Sequence, residues 1–186
     1  MRLTLPTILT LFRIGLLPVM VVVFYAPFRG ANIAASVIFI AAAITDWLDG
    51  WIARKYGMTS TFGEFLDPVA DKLMVAVTLF LLVQDNPTIP LAIISAIIVG
   101  REITISALRE WMAEIGERAR VRVAGIGKIK TIAQLVALVV LLYQKDLDGF
   151  GLFHVGEVLL GLAAALTIWS GVVYVRAAWP VLRTER

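Results

Sequence analysis

The stretch DWLDGWIARKYGMTSTFGEFLDPVAD, residues 46–71, contains four acids that the rest of the fold has to accommodate. It places Asp46, Asp49, Asp67 and Asp71 inside two strongly apolar segments that a short polar turn separates. A carboxylate in such a segment costs free energy unless something binds it. We therefore expect the rest of the chain to surround these four acids and to fix their positions.

The composition indicates a membrane protein. Hydrophobic residues make up 60% of the 186 residues, and the mean hydropathy of +0.87 lies well above the soluble range. The absence of cysteine excludes disulfides and thiolate metal sites, and the single histidine, His154, excludes a histidine-rich metal site. No linker or internal repeat divides the chain, so we expect one integral membrane domain over residues 1–186.

Several apolar runs have the length of about 20 residues that a membrane-spanning helix needs. Only helices and closed barrels satisfy their backbone hydrogen bonds in lipid, and these runs are too long and continuous for barrel strands. We therefore predict an all-α protein with six transmembrane helices. The predicted helices cover residues 7–27, 31–56, 62–84, 89–115, 124–143 and 153–174.

The distribution of basic residues predicts the orientation of these helices. Six spans place both termini on the same side of the membrane. Among the 17 Lys and Arg residues, only Arg29 and Lys145 lie near the opposite set of helix ends. Because basic residues concentrate on the cytoplasmic side, both termini are expected to be cytoplasmic.

The spacing of the acids predicts that they meet. Asp46 and Asp49 are three residues apart, and Asp67 and Asp71 are four apart, so each pair lies on one face of its helix. The turn between the two helices is short, so we expect the helices to pack as antiparallel neighbours. Asp46 would then lie level with Asp71, and Asp49 level with Asp67, in a polar cavity open to the cytosol.

Four facing carboxylates repel one another, and one or two divalent cations would remove that repulsion. Ligands made only of oxygen favour a hard ion, Mg²⁺ or Mn²⁺, over zinc or copper. The alternative is a structural network in which the acids pair with Arg54, Lys72 and other buried bases. The matched depth of the four acids favours the metal site.

The acids and their neighbours resemble the signature of the CDP-alcohol phosphotransferase family. That signature reads D-x-x-D-G-x-x-A-R, eight further residues, then G-x-x-x-D-x-x-x-D. The runs at 9–13, 63–72 and 101–116 resemble the branch of the family that uses glycerol 3-phosphate, although Thr7 stands where that branch often has asparagine. The fixed positions of the signature are all present, as Asp46, Asp49, Gly50, Ala53, Arg54, Gly63, Asp67 and Asp71.

The resemblance implies an enzyme of phospholipid synthesis in the bacterial cytoplasmic membrane. Family members displace CMP from a CDP-linked lipid with an alcohol. In this branch the donor is CDP-diacylglycerol, the acceptor is sn-glycerol 3-phosphate, and the product is phosphatidylglycerol phosphate. The resemblance also implies a homodimer of six-helix chains and two bound ions, Mg²⁺ or Mn²⁺, and we expect no nucleic-acid partner.

The same resemblance assigns roles within the signature. The four aspartates bind the ions, with Asp46 and Asp67 bridging them, and Asp71 is the general base for the attacking hydroxyl. A nearby divalent ion weakens a base, so this role requires Asp71 to be the weakest ligand. No fixed position is Ser, Cys or His, so we predict direct displacement. The implied donor site consists of Asp49, Gly50, Ala53, Arg54 and Gly63.

The acceptor carries a phosphate, so its pocket needs basic side chains, and arginine suits bidentate phosphate contacts. Arg101 is two turns from Arg109 on the fourth predicted helix, and two lysines begin the fifth. In the alternative, Arg101 pairs with Glu102 or Glu110, and Lys130 only anchors its helix. The candidates for the acceptor phosphate are Arg101, Arg109 and Lys128, followed by Lys130 and Arg118.

Other functions remain open at this point. An intramembrane prenyltransferase also uses Asp-rich motifs and Mg²⁺ on diphosphates, but Gly50, Ala53 and Arg54 argue against it. Arg54 itself has the alternative role of a cytoplasmic anchor. A metal-ion transporter with buried acids would not need the basic residues. Within the family, inositol phosphate, serine or phosphatidylglycerol are other possible acceptors, although serine requires no cluster of cations.

Overall fold

The computed structural model describes residues 4–57, 60–116, 126–143 and 151–184, except for the side chains of residues 126–129, 182 and 184. This part of the chain forms six α-helices and contains no β-strand. The helices are α1 (Leu5–Tyr25), α2 (Ala31–Tyr56), α3 (Thr61–Asp85), α4 (Ile89–Glu114), α5 (Ile126–Tyr143) and α6 (Leu152–Thr184).

Four of these helices, α1, α2, α4 and α6, are long and apolar enough to cross a membrane. α3 has 25 residues, but its sequence includes five charged residues, which lower its overall apolar character. In α5 the apolar segment Lys130–Tyr143 is shorter than a full span. The all-helical architecture predicted from the sequence is confirmed, with four helices identified as spans by length and hydropathy.

The turn between the two helices that carry the acids is short, and a helix cap lies at each end of it. α2 ends at Gly57, whose φ of 63° lies in the left-handed region that favours glycine. α3 begins after Ser60, whose hydroxyl accepts a hydrogen bond from the backbone N–H of Gly63 at 3.0 Å. The chain therefore reverses within a few residues, and both acidic segments lie near the same end of the bundle.

The helices form a ring in the order α1, α2, α5, α6, α4 and α3, and a smaller contact between α3 and α5 crosses it. α1 packs against both α2 and α3, whereas α2 and α3 share no extensive interface among the described residues. The prediction that α2 and α3 pack directly against each other is therefore corrected. α1 separates them because its buried polar side chains, Thr7, Thr10 and Arg13, bind groups on both.

The core lies along the middle of the bundle, with a second apolar cluster at one end. Ile105 and Met112 of α4 pack there with Tyr174 and Ala178 of α6. This contact explains why α6 continues to Thr184, although its predicted span ended at residue 174. The extra turns bury an apolar stripe against α4 rather than forming a tail.

Candidate active site

The four aspartates of the signature converge, and the side chain at their centre is Arg13 of α1. Its Nη1 atom lies 2.7 Å from Asp46 Oδ1 and 2.6 Å from Asp71 Oδ1. The same atom lies 3.4 Å from Asp67 Oδ1, and Nη2 donates to Asp49 Oδ2. The Arg13 side chain is 0% exposed. Because a guanidinium carries five N–H donors in a planar fork, one arginine serves all four acids.

Three of the acids form the tightest group. One carboxylate oxygen from each of Asp46, Asp49 and Asp67 lies within 4.8 Å of the other two. A set of ligands made only of oxygen, at this spacing, fits a hard divalent ion such as Mg²⁺ or Mn²⁺. Asp71 does not belong to this group, and its side chain is 50% exposed.

Hydroxyl groups of α1 extend from the acids toward the helix end. Thr10 Oγ1 donates to Asp49 Oδ2 at 3.4 Å, and Thr7 Oγ1 lies 2.8 Å from Ser60 Oγ at the start of α3. Both threonines are buried. Thr7, the departure from the resembled branch, therefore holds α1 against α3 by a hydrogen bond between two hydroxyls.

Glycine is required where α1 approaches α3. A Cβ atom on Gly63 would lie 2.9 Å from Thr7 Oγ1 and 3.0 Å from Ser60 Oγ, closer than such contacts normally come. Beside this contact is a cavity of about 90 Å³. The residues of the implied donor site that line it are Asp49, Gly50, Ala53 and Gly63.

Arg54, the remaining residue of the implied donor site, lies at the rim. It is exposed and forms no ion pair with another described residue, so the alternative in which the acids pair with Arg54 is not observed. A Cβ atom on Gly50 would lie 3.2 Å from Arg54 Nη1. Its guanidinium therefore lies over Gly50, one turn from the acids.

A larger cavity has a volume of about 330 Å³. Four helices line it: α3, α4, α5 and α6. Three of its lining residues are basic side chains that the sequence proposed for the acceptor: Arg101, Arg109 and Lys130. The side chain of Lys128 and the whole of Arg118 lie outside the described residues.

One acid binds two of these basic groups. Glu102 Oε1 accepts from Lys130 Nζ at 2.6 Å and from Arg101 Nη1 at 3.2 Å. The alternative in which Arg101 pairs with Glu102 is thus correct as a contact, but Lys130 reaches the same oxygen. Arg109 instead contacts Tyr174 of α6, donating to its hydroxyl at 3.3 Å and lying 5.4 Å from the ring centre.

The cavity also contains polar atoms without partners. Arg101 Nε and Gln134 Oε1 are buried, and neither has a hydrogen-bond partner among the described residues. Buried polar groups in folded proteins are nearly always paired, so such atoms indicate a place for a ligand. An unpaired donor suits a phosphate oxygen, and an unpaired amide oxygen suits a hydroxyl group.

Asp71 links the two regions. Its carboxylate binds Arg13 in the acid cluster, and the same residue lines the basic cavity together with Lys72 and Arg101. Lys72, which the sequence offered as a partner of the acids, faces this cavity and forms no ion pair with a described residue. A single carboxylate therefore belongs to both the acid cluster and the basic cavity.

Two contributors to the site were not identified from the sequence. Arg13 was treated only as one basic residue near a helix end, although an ionisable residue inside an apolar helix is a functional candidate by default. The signal was a stripe at helical spacing, Thr7, Thr10 and Arg13, all buried in α1. Gln134 gave no signal, since a lone glutamine in an apolar helix has no distinctive spacing.

Known proteins resemble this chain along nearly its whole length. The family model for CDP-alcohol phosphatidyltransferase matches residues 3–169. The CDP-diacylglycerol–glycerol-3-phosphate 3-phosphatidyltransferase of Sodalis glossinidius (strain morsitans) is 49% identical over 178 residues, which cover 96% of each chain.

Proteins of the same name from two other bacteria give similar values. The one from Yersinia pestis (strain Pestoides F) is 49% identical over 179 residues, covering 96% of this chain and 97% of that one. The one from Pseudomonas fluorescens is 48% identical over 181 residues, covering 97% and 92%. The chain therefore belongs to the CDP-alcohol phosphatidyltransferase family.

Proposed function

We propose that this protein transfers the phosphatidyl group of CDP-diacylglycerol to sn-glycerol 3-phosphate and releases CMP, the reaction that the name of its relatives describes. The observation that carries this proposal is the position of Asp71 between the acid cluster and the basic cavity. A transferase of this kind must hold a diphosphate and a phosphorylated alcohol side by side, with a base between them.

The acid cluster is proposed to hold the donor's diphosphate through divalent ions. Four carboxylates against the single charge of Arg13 leave three negative charges in formal excess, which would repel a diphosphate. Two Mg²⁺ or Mn²⁺ ions on the four aspartates would reverse that excess and stabilise the CMP leaving group. The small cavity beside Gly50, Ala53 and Gly63 is the candidate place for the cytidine.

The basic cavity is proposed to hold the acceptor. Four basic side chains, Lys72, Arg101, Arg109 and Lys130, and two acids, Asp71 and Glu102, line the cavity, so it retains a formal excess of two positive charges for a phosphate. The unpaired Arg101 Nε is a further donor. Lys128 and Arg118 stay candidates for the same pocket.

The transfer then requires one bond to form and one to break. A hydroxyl oxygen of the acceptor bonds to the phosphorus of the phosphatidyl group, and the bond from that phosphorus to the CMP oxygen breaks. The hydroxyl proton passes to the Asp71 carboxylate, which is half exposed and lies outside the group formed by Asp46, Asp49 and Asp67. Direct displacement needs no covalent enzyme intermediate.

The same proposal covers the protein's setting. All six helices cross the bacterial cytoplasmic membrane, both termini are cytoplasmic, and the active site opens to the cytosol, where glycerol 3-phosphate is available. Arg54 and Lys55, at the end of α2 beside the acid cluster, are basic as this orientation requires. The functional unit is proposed to be a homodimer.

An assay of purified protein in detergent tests this function. CDP-diacylglycerol and Mn²⁺ or Mg²⁺ are supplied with glycerol 3-phosphate, inositol phosphate, serine or phosphatidylglycerol, and CMP is measured. Unphosphorylated glycerol is the matched control for the phosphate. We expect CMP release with glycerol 3-phosphate, its loss on chelation and its return with added metal. Equal turnover of glycerol would contradict the acceptor site, and full activity after chelation would contradict the metal site.

A phosphorylated alcohol other than glycerol 3-phosphate is the second candidate acceptor. The basic cavity would suit the phosphate of inositol phosphate equally well, and only the names of the relatives favour glycerol 3-phosphate. Preferential turnover of inositol phosphate in the same assay would decide for it. Metal flux into liposomes without CMP release would instead favour an ion transporter.

A further inference from the structure

Arg13 lies where the charges of the four acids meet. Its Nη1 atom lies within 2.7 Å of Asp46 and Asp71, and Nη2 contacts Asp49. These contacts join α1 to α2 and to α3, which do not pack extensively against each other. Arg13 is thus the side chain whose positive charge joins the acids of α2 and α3 in the structure.

A divalent ion on the same acids would compete with this guanidinium. The oxygens that Arg13 binds belong to the residues whose ligand atoms approach one another within 4.8 Å. Two divalent ions alone neutralise four carboxylates, so a fully buried arginine beside them would add an unbalanced positive charge. Like charges a few ångströms apart repel, and the repulsion is stronger where one of them is fully buried, as the Arg13 side chain is.

We infer that Arg13 is an internal counterion that takes the place of the metal ions in the metal-free protein and gives way when they bind. This inference rests on the metal site of the proposed function. It makes Arg13 a positioning residue, since it preserves the arrangement of the acids until the ions arrive. It also means that the metal affinity is lower than the acids alone would give.

Removing the charge of Arg13 therefore should raise the metal affinity. The test uses full-length protein in detergent micelles, stripped of metal and free of CDP-lipid, titrated with Mn²⁺ while the EPR signal of free Mn²⁺ is recorded. The repulsion between like charges predicts that Arg13→Gln binds Mn²⁺ about tenfold more tightly than the unaltered protein. Arg29→Gln removes a charge from the exposed turn before α2 and serves as the control.

Thermal unfolding gives a second readout. Without metal, Arg13→Gln leaves four acids without a counterion and should unfold at a lower temperature than the unaltered protein. Saturating Mn²⁺ should abolish most of that difference. An arginine with a merely structural role would instead lower the unfolding temperature with and without Mn²⁺, and its loss would weaken Mn²⁺ binding.

Arg13→Lys covers the case in which the glutamine variant does not fold. Lysine keeps the charge, but its single ammonium group reaches fewer carboxylates than the guanidinium fork, so we expect Mn²⁺ affinity a few-fold above that of the unaltered protein. Unchanged or weaker Mn²⁺ binding in the folded variants overturns the role of Arg13 and leaves the metal site standing. Absence of Mn²⁺ binding in every protein, unaltered included, overturns the metal site and this inference together.

Discussion

The acid cluster involves α1, α2 and α3, whereas α3, α4, α5 and α6 line the basic cavity, and Asp71 belongs to both regions. Apart from Asp71, each region contains one residue of the opposite charge. In the acid cluster, Arg13 is fully buried and binds all four aspartates. In the basic cavity, Glu102 is 28% exposed and binds Lys130 and Arg101. Each region keeps an excess of its own charge, but the cavity of the basic region, about 330 Å³, is larger than the cavity of about 90 Å³ beside the acids.

This difference suggests that the two regions bind their ligands in different ways. In the acid cluster Arg13 already contacts all four acids, so we infer that an incoming ion has to replace its guanidinium. The basic cavity is open, so a phosphorylated alcohol enters existing space and competes only with a partly exposed carboxylate. Charge is therefore expected to dominate the energetics of the first region, and shape together with charge those of the second.

Asp67→Asn should lower the activity most, because it removes a proposed metal ligand from the acid cluster. Loss of residues that merely orient ligands costs 10–100-fold, so we expect at least about 100-fold less CMP release at saturating Mn²⁺. Glu157→Gln is the matched control, since Glu157 contacts Thr88 at the other end of the bundle. Retention of more than about a tenth of the activity by Asp67→Asn would remove Asp67 from the proposed ligands.

Arg109→Ala tests the role of the basic cavity in binding the acceptor. A charge-assisted hydrogen bond contributes about 1.5–3 kcal/mol, which corresponds to a rise of about 10- to 100-fold in the KM for glycerol 3-phosphate. The KM for CDP-diacylglycerol should change little. Initial rates over a grid of both substrates measure the two constants, and equal changes in both would exclude Arg109 from the acceptor pocket.

Tyr174→Phe refines that experiment. It removes the hydroxyl that accepts from Arg109 but keeps the ring on which the guanidinium lies. If the charge of Arg109 binds the acceptor, the phenylalanine variant should raise the acceptor KM far less than Arg109→Ala does. An equally large effect would mean that Tyr174 itself, rather than Arg109, governs acceptor binding.

The spacing of the motif was sufficient to predict that the acids of α2 and α3 come together, because helical periodicity fixes the face and a short turn fixes the depth. It could not predict what lies between them. The spacing of the acids on one helix does not specify which helix packs against that face. α1 lies between α2 and α3 because Arg13 contacts all four acids. The sequence analysis named Arg54 and Lys72 as partners of the acids, because they lie close along the chain, and did not name Arg13.

The basic cavity was predictable to a similar degree. Arg101 and Arg109 share a helical face, and the need for a phosphate site indicated Lys130 as well. The contribution of α6 was not foreseen, although its predicted span, residues 153–174, includes Ser170 and Tyr174, because the sequence does not show which helix α6 packs against. Packing against the end of α4 extends the helix and positions Tyr174 beside Arg109, and only the tertiary structure contains that information.

Glu102→Gln tests whether the acid in the basic cavity competes with the acceptor phosphate, because it removes the negative charge that pairs with Lys130 and Arg101. It releases Lys130 and Arg101 from the carboxylate, so the KM for glycerol 3-phosphate should fall about threefold, within the range of a partly exposed ion pair. Glu110→Gln, an exposed acid on the same helix, is the control and should leave that KM unchanged. A rise in the acceptor KM would show that Glu102 orients the basic groups rather than competing with the phosphate.

The last prediction concerns packing rather than charge, and its readout is stability rather than activity. A Cβ atom on Gly63 would lie 2.9 Å from Thr7 Oγ1, so α1 and α3 are closely packed at this position. A Cβ atom added to Gly15 of α1 would meet nothing within 4 Å. Overpacking of this kind costs about 1–3 kcal/mol, so Gly63→Ala should lower the unfolding temperature in detergent. Gly15→Ala, the matched control, should leave it unchanged or raise it.

The double variant Gly63→Ala with Thr7→Ala tests whether the close approach itself is the cause. Removal of the Thr7 hydroxyl leaves Ser60 Oγ as the remaining close atom, at 3.0 Å, so the double variant should recover part of the stability lost by Gly63→Ala. If the losses of the two single variants simply add, the contact between α1 and α3 is not what requires glycine. Partial recovery would mean that the close approach of the Thr7 hydroxyl to residue 63 causes the loss of stability, in the same helix that carries Arg13.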